Sequence, residues 1–147
     1  MSGPRELILA EAATGNYVLA LDGSTALCTV ALLCRAQDLW TVQGSCQAGD
    51  GQAQARVLLR AVDELVAAVG GPEALAAVVV GVGPGTFTGV RVTVATARAL
   101  SLALRIPVFG ISTLAALAAG AAAWWGEEGT CGGSSLQVRE IDLLVPV

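Results

Sequence analysis

Residues 83–91 read Gly-Pro-Gly-Thr-Phe-Thr-Gly-Val-Arg, and this glycine-rich stretch joins two segments of different character. The segment before it, 77–82, is apolar without alternation, which favours a central strand covered on both faces. The segment after it continues to Leu104 with apolar residues at helical spacing. A strand, a glycine-rich bend and a helix N-terminus can together cradle a phosphate, because the first N–H groups of a helix are unpaired and the helix dipole is positive there.

The glycine-rich bend carries most of the residues that qualify as a cofactor site. Its glycines allow close backbone approaches, its threonine hydroxyls can cap the helix, and Arg91 can hold an anion through two hydrogen bonds. The same residues suit a plain turn in which Thr88 caps the helix and Arg91 pairs with a carboxylate. A glycine-rich segment without a lysine is weak evidence for phosphate binding, so the phosphate site and the plain turn both stay open. The candidate positions are Gly83, Gly85, Thr86, Thr88, Gly89 and Arg91.

Upstream of the bend, the chain predicts an antiparallel meander of three strands. Apolar, β-rich runs at 17–22 and 27–34 flank a short turn and read as a hairpin, and 39–45 is a third strand. The turn holds a second candidate site, because Asp22 stands at a strand end with the hydroxyls of Ser24 and Thr25 close by. Asp22 can ligate a metal, orient water, or bond its own backbone in an Asx turn, and the sequence favours none of these.

Helical and strand patterns alternate along the rest of the chain. Helices are predicted at 52–69, at 88–104 and from Ser112 to about residue 124, with strands at 77–82 and 107–111. The order β-β-β-α-β-α-β-α implies an α/β fold, a mixed sheet with helices on its faces. We divide the chain into an N-terminal extension (1–16), one α/β lobe (17–124), and a linker with the start of a missing or reduced second lobe (125–147).

Composition excludes several classes of active site. The chain has 147 residues, 54% of them hydrophobic and 14% charged, with a net charge of −4 and no histidine. All its cations are arginines, so a Walker-type P-loop, a Schiff base, a Ser-His-Asp triad and an HExxH metal site are all excluded. An acidic chain is a poor binder of nucleic acid on its own. Its four cysteines form no C-x-x-C pair, so we expect neither zinc nor disulfides and a reducing cytoplasm.

Two uncharged stretches, 74–90 and 106–126, each favour a buried strand followed by a helix rather than a membrane span, because proline, glycine and alanine interrupt them.

The first two helices indicate more about function, since each carries a stripe of residues suited to packing. Arginines on the second helix recur every seven residues and mark either a solvated side or a partner surface. The predicted interface residues are Leu58, Val62, Leu65, Val69, Val94, Arg98 and Ser101.

Three segments together resemble the TsaB family, whose members are needed to form threonylcarbamoyladenosine in tRNA. They are 19–33 (LALDGSTALCTVALL), 81–104 (GVGPGTFTGVRVTVATARALSLAL) and 106–118 (IPVFGISTLAALA). The resemblance implies the actin-like ATPase (ribonuclease H-like) fold, shared with sugar kinases and with the catalytic subunit TsaD. In that fold the nucleotide lies between two lobes, and TsaB-type members resemble degenerate versions of it. Their first two helices form a bundle, in homodimers or with TsaD.

The resemblance therefore implies a non-catalytic dimerisation subunit with no catalytic residue, no metal and no strongly bound cofactor; ATP and magnesium are used by the complex. The implied partners are a TsaD-like catalytic subunit, a second copy of the chain and a TsaE-like ATPase, with tRNA contacted only indirectly and no membrane. TsaD-like proteins carry paired metal-binding histidines, which this chain lacks. The sequence departs from the family in two ways: the histidine-containing opening of the first helix is replaced at 49–52, and the sequence given stops where the second lobe should begin, as expected of a fragment, a shortened product or a protein without that lobe.

The sequence leaves two other functions open. The first is a small ATPase or phosphotransferase that uses Asp22 and the bend at 83–91. The second is a peptidase, which the historical naming of the wider family suggests. The chain has no histidine to serve as metal ligand or as the usual base for serine or cysteine, which weighs against the peptidase.

Overall fold

A computed structural model of the chain describes residues 15–36, 39–48, 54–126 and 145–146. Its strands are β1 (Tyr17–Asp22), β2 (Cys28–Ala36), β3 (Leu39–Ala48), β4 (Leu75–Gly81), β5 (Val108–Ile111) and β6 (Val145–Pro146). Its helices are α1 (Gln54–Ala68), α2 (Phe87–Leu104) and α3 (Thr113–Gly126), with a short 3-10 turn at Pro72–Ala74. The predicted order of elements through α3 is confirmed.

The strands form one mixed sheet. Within the described ranges its order is β3-β2-β1-β4-β5-β6. Strands β1, β2 and β3 pair antiparallel, β1, β4 and β5 are parallel, and β6 is antiparallel to β5. Because β1, β4 and β5 run in the same direction, their carboxyl ends meet at one edge of the sheet. The predicted α/β class with a mixed sheet is confirmed.

The main core lies between the sheet and helices α1 and α2. Strand alternation places Leu19 and Leu21 on this face of β1 and Val30 and Leu32 on this face of β2. Full burial of one such leucine stabilises the fold by about 1.5–3 kcal/mol. The remaining buried members are Cys28, Leu58, Ala61, Val62, Val66, Leu75, Val78, Val80, Ala97 and Ile106.

Part of the predicted interface lies inside this core. Leu58 is 0% and Val62 is 6% exposed, so their prediction as partner-facing residues is wrong for the folded chain. The physical reason is that the apolar stripe of α1 covers its own sheet, since an amphipathic helix first buries its apolar side on the nearest apolar surface. Leu65, Val69 and Val94 are partly buried against the same core. Arg98 is exposed and Ser101 is half-buried, and an interface role for these five stays a prediction.

The opposite face of the sheet has a smaller core of Val18, Ala77 and Phe109. Helix α3 contains no charged residue, yet Leu114 is 58% and Leu117 is 62% exposed.

The two uncharged stretches of the sequence fold as strands followed by bends or helices. Residues 74–90 contain β4 and the glycine-rich bend, and residues 106–126 contain β5 and α3. In the described part of the chain, α2 alone is long and apolar enough to cross a membrane by length and composition; it carries two arginines and packs one side on the sheet.

The domain division extends beyond the described residues. The predicted extension lies almost wholly outside them, as does the linker from residue 127 to residue 144. Within the last predicted part, 125–147, the structure describes the end of α3 and the short strand Val145–Pro146, which pairs with β5. The three-part division therefore stays a prediction.

Candidate functional site

Most of the predicted cofactor residues gather at the sheet edge where β1, β4 and β5 end. Asp22 closes β1, Gly81 closes β4, and Thr113 follows β5 as the first residue of α3. The hairpin turn after Asp22 lies against the bend at 83–86, because Thr86 donates its backbone N–H to the Ser24 carbonyl at 2.7 Å. The two candidate sites are thus one cluster, as expected where parallel strands share an edge.

Asp22 is the centre of this cluster, and protein groups surround its carboxylate. The backbone N–H and hydroxyl of Ser24 donate to Oδ1 at 2.8 and 2.6 Å, and the Thr113 hydroxyl donates to Oδ2 at 2.7 Å. The Ser24 bonds make the Asx turn that was one of the interpretations left open. Thr113 was missed by sequence reasoning, although its place just after a parallel strand could have indicated it. Asp22 therefore ties the hairpin turn to the start of α3.

We expect Asp22→Asn to lower the free energy of unfolding by about 1–2 kcal/mol, because charge-assisted bonds to buried hydroxyls become neutral ones. Asp63→Asn is the matched control; it changes an exposed carboxylate on α1 and should stay within about 0.5 kcal/mol of the parent. Urea unfolding followed by circular dichroism measures both. A variant of unchanged stability would show that these hydrogen bonds do not hold the edge together.

The bend is a packed junction rather than an open phosphate cradle. A Cβ on Gly85 would meet backbone atoms of Ser24, and one on Gly89 would meet the Gly23 carbonyl. The Thr86 hydroxyl donates to the same Gly23 carbonyl at 3.2 Å. Gly83 has φ 93°, a region that favours glycine. Glycine is needed at positions 85 and 89 because the backbone of the bend and of the start of α2 touches the backbone of the hairpin turn.

Of the two threonines that the sequence offers as the helix cap, Thr86 occupies the N-cap position, but its hydroxyl does not make the capping bond. Helix α2 begins at Phe87, with Thr86 as its N-cap in an extended conformation and without a side-chain cap bond. Thr88 lies in the first turn and is exposed, so its prediction as the cap is wrong. Thr25 is exposed as well, and its hydroxyl donates to the Leu27 carbonyl at 3.0 Å.

Arg91 does not join the cluster around Asp22. Its guanidinium lies 4.1 Å from the centroid of the Phe87 ring, and Phe87 is 72% exposed. Among the described residues, Arg91 forms no ion pair, so the expected carboxylate partner is replaced by a cation–π contact worth about 0.5–1 kcal/mol.

The cluster is poorly suited to nucleotide chemistry. In the described part of the chain no three His, Cys, Asp or Glu side chains stand together as metal ligands. The N–H of Thr86 bonds the hairpin turn, and Asp22 accepts from Ser24 and Thr113. An ATP phosphate would have to displace these contacts and approach a carboxylate. The residues present do not fit the nucleotide that the fold family binds.

Cys28 is fully buried near Asp22 and is not an activated nucleophile. Burial raises the pKa of its thiol, and the negative charge of Asp22 raises that pKa further. A thiol with a raised pKa stays protonated at neutral pH, whereas a nucleophilic cysteine needs the opposite shift. This pKa shift adds to the free energy of unfolding. The contribution is fully present when the pH is below the pKa of the thiol in the unfolded chain, and it is lost as the pH rises through the higher pKa of the folded chain. Cys28 is a core residue.

A second feature lies on the helix layer. An apolar groove of about 510 Å³ runs between α1 and α2, lined by Leu59, Val66, Pro72, Leu100 and Leu104 among others. The exposed Arg60 and Asp63 also border it. Leu59, which lines the groove, is 50% exposed; Leu102, which is on α2 but not in the groove lining, is 82% exposed. Exposed apolar side chains around a groove are typical of a protein contact surface.

Comparison with known proteins identifies the family. Residues 51–129 match the family model of TsaD, tRNA N6-adenosine threonylcarbamoyltransferase. YeaZ from Pseudomonas aeruginosa is 36% identical, with a TM-score of 0.64, over 77% of this chain and 51% of YeaZ. The chain is a TsaB-like member of the TsaD family.

A second Pseudomonas aeruginosa structure, described as an uncharacterized protein with similarity to peptidase YeaZ, is also 36% identical over 77% of the TsaB-like chain and 50% of its own, with a TM-score of 0.64. RuvC from Thermus thermophilus is 12% identical over 82% of this chain and 86% of its own, with a TM-score of 0.52. That likeness shows the shared ribonuclease H-like fold alone. A search of curated proteins returned no significant match. The TsaB-like chain spans about half the length of YeaZ.

Proposed function

We propose that this TsaB-like chain is a non-catalytic docking subunit for tRNA N6-threonylcarbamoyladenosine formation. It contacts a TsaD-type catalytic subunit through α1 and α2 and leaves bond formation to that subunit. The observation that carries the proposal is the contrast between its two candidate sites. The groups around Asp22 bond one another, whereas Leu59 in the α1–α2 groove and Leu102 elsewhere on α2 remain exposed.

The exposed apolar residues support docking through burial energetics. Leu59 and Leu102 present large apolar surfaces to water. Removing either surface from water in a contact with a partner would lower the free energy. Protein contact surfaces also favour arginine, and Arg98 is exposed on the same layer. The layer therefore combines the apolar anchors and the cationic groups that a stable contact uses.

The same residues weigh against catalysis by this chain alone. The family resemblance assigns metal-binding histidines to the catalytic subunit, and this sequence has none. An ATPase or phosphotransferase would need Asp22, which accepts hydrogen bonds from Ser24 and Thr113, and the bend, which packs against the hairpin turn at Gly23 and Ser24. A peptidase would need a base or a metal ligand set, and no histidine is present for either. Within this proposal, tRNA is contacted indirectly, the TsaE-like ATPase joins through the complex, self-pairing occurs when the chain is alone, and the location is cytoplasmic.

Capture of the catalytic subunit tests the proposal. A tagged form of this chain mixed with the TsaD subunit from the same source should elute as a complex in size-exclusion chromatography with light scattering. Calorimetric titration of the chain alone with ATP and magnesium should give no binding heat. Absence of a complex, together with saturable ATP binding by the isolated chain, would contradict the docking role and favour the ATPase.

A further inference from the structure

The groove between α1 and α2 reaches the edge of the sheet at which β1 and β4 begin. Leu75, the first residue of β4, lines the groove and pairs with Tyr17, the first residue of β1. Pro72, which lies in the turn before β4, lines it as well. The groove therefore extends to the place where the chain enters the sheet.

The backbone just before β1 lies against this end of the groove. A Cβ on Gly15 would stand 2.5 Å from both the Ala74 carbonyl oxygen and the Leu75 carbonyl carbon, so glycine is what allows the two backbones to approach this closely. Gly15 is the first residue that the structure describes. Because the chain is continuous, residues 1–14 depart from a point beside the groove.

The N-terminal segment, as we call residues 1–14, lies outside the described residues, and its sequence combines one apolar run with charges of both signs. Residues 7–10 read Leu-Ile-Leu-Ala, with Arg5 and Glu6 before them and Glu11 after them. Removal of such side chains from water is favourable, and the groove offers them apolar walls.

The run 7–10 can reach the full length of the groove. Leu7 precedes Gly15 by eight residues, and eight residues span at most about 26–29 Å. The groove residues of α1 extend from Leu59 to Val66, a distance of about 10.5 Å along the helix axis. A run of four residues spans up to about 13 Å, so its length matches that of the groove.

Two charged groups at the groove are available to the segment. Arg60 already pairs with Glu64 on its own helix, at 3.0 Å between Nε and Oε1. Asp63, which also lines the groove, and Arg105, which follows the end of α2, are both exposed. Within the described ranges neither of these two forms an ion pair.

The order of charges along the segment matches their order along the groove. Leading away from Gly15, the segment presents Glu11 first and Arg5 last. Arg105 stands at the end of the groove near Gly15, and Asp63 stands farther along α1. An apolar run laid in the groove therefore brings opposite charges together at both of its ends, which fixes its direction.

A covalent tether favours the chain's own segment over a separate molecule. A short flexible connection gives a tethered group an effective concentration of about 1 mM. A groove ligand with a dissociation constant of about 0.1 mM, which is weak binding, would still fill the groove about nine-tenths of the time when tethered in this way.

We propose that residues 7–10 occupy the α1–α2 groove of the same chain, with Arg5 directed to Asp63 and Glu11 directed to Arg105. The segment shields the groove from water, and any partner that uses the groove has to displace it. This inference does not depend on the proposed function, because it can be measured without a TsaD subunit.

A labelled peptide of residues 1–14 tests the occupant. Fluorescence anisotropy compares its binding by the parent and by the full-length variant Leu7→Asp/Leu9→Asp, whose own segment no longer fits an apolar groove. The variant should bind the peptide saturably, and the parent should bind it about tenfold or more weakly, because its groove is occupied. Ala12→Asp/Ala13→Asp is the matched control. It adds the same charges outside the run and should behave as the parent does.

Substitutions in the groove locate the peptide. In the Leu7→Asp/Leu9→Asp background, Leu59→Glu should weaken peptide binding about tenfold or more, because it places a charge on a groove wall. Leu114→Glu is the control on α3. Leu114 is 58% exposed, close to the 50% of Leu59, and its substitution should change binding by less than about threefold.

A charge exchange tests the direction of the segment. In the same background, Asp63→Arg should weaken binding of the peptide about threefold, as for an exposed ion pair. A peptide with Arg5→Glu should recover this loss on the Asp63→Arg protein. Failure of the exchanged pair to recover binding would overturn the proposed direction.

Other outcomes identify a different occupant. Equal peptide binding by the parent and by Leu7→Asp/Leu9→Asp would overturn the inference, and so would equal losses with Leu59→Glu and Leu114→Glu. If no protein binds the peptide and Leu59→Glu abolishes self-association of the parent in sedimentation equilibrium, the groove belongs to a second copy and the inference fails. Peptide binding without TsaD capture would support the inference while contradicting the proposed function, so the two failures are distinguishable.

Discussion

Gly89→Ala is expected to lower the free energy of unfolding by about 3 kcal/mol or more. A Cβ at this position would collide with the Gly23 carbonyl and lie 2.6 Å from the Thr86 hydroxyl oxygen. The collision involves backbone, which moves only if the hairpin turn separates from α2. The same turn holds Ser24 against Asp22, so the loss extends to the whole sheet edge.

Gly120→Ala is the matched control, since both glycines lie within helices. A Cβ on Gly120 would meet nothing within 4 Å, and alanine is intrinsically better in a helix than glycine by about 1 kcal/mol. The two substitutions should therefore shift stability in opposite directions in urea unfolding. Similar effects at the two positions would show that the hairpin turn and α2 are not in backbone contact.

Leu102→Glu is expected to weaken capture of the TsaD subunit about 100-fold, as for a central anchor of a contact. The side chain is 82% exposed, so the stability of the isolated chain should change by no more than about 0.5 kcal/mol. Calorimetry or anisotropy with the TsaD subunit measures the first quantity, and urea unfolding measures the second. A folded variant that binds as tightly as the parent would remove α2 from the contact.

Leu117→Glu controls for the general effect of a new charge on an exposed leucine. Leu117 is 62% exposed on α3, which follows β5 rather than belonging to the α1–α2 layer. Its substitution should leave TsaD capture within about threefold of the parent. Leu58→Glu would be uninformative by comparison, because Leu58 is fully buried and its loss would unfold the lobe.

The sequence predicted elements well where a single pattern dominates. The bounds of β1 match the predicted 17–22, and α2 begins one residue before the predicted start and ends at Leu104, because glycine on one side and Pro107 on the other limit the helix. Helical periodicity also located α1. It could not say whether the apolar stripe of α1 faces the sheet or a partner, since both surfaces require the same residues, and Leu58 and Val62 proved to face the sheet.

The candidate site was predictable in its members but not in its chemistry. Asp22, Ser24 and the bend were identified from residue type, and the structure brings them together. Whether Asp22 meets a ligand or its own backbone depends on contacts between distant segments, such as that with Thr113 at a separation of 91 residues. Arg91 was assigned to anions by its charge, whereas its position over Phe87 follows from their spacing of four residues on one helix.

In the proposed function, this TsaB-like chain supplies a contact surface and another subunit performs the reaction. It is tested most directly by measuring threonylcarbamoyladenosine in tRNA with a reconstituted system, with and without this chain and with Leu102→Glu in its place. We expect modified tRNA only when the TsaD subunit and the parent chain are both present, and a strong loss with Leu102→Glu. Modification by this chain without the TsaD subunit, or equal yield when this chain is omitted, would contradict it.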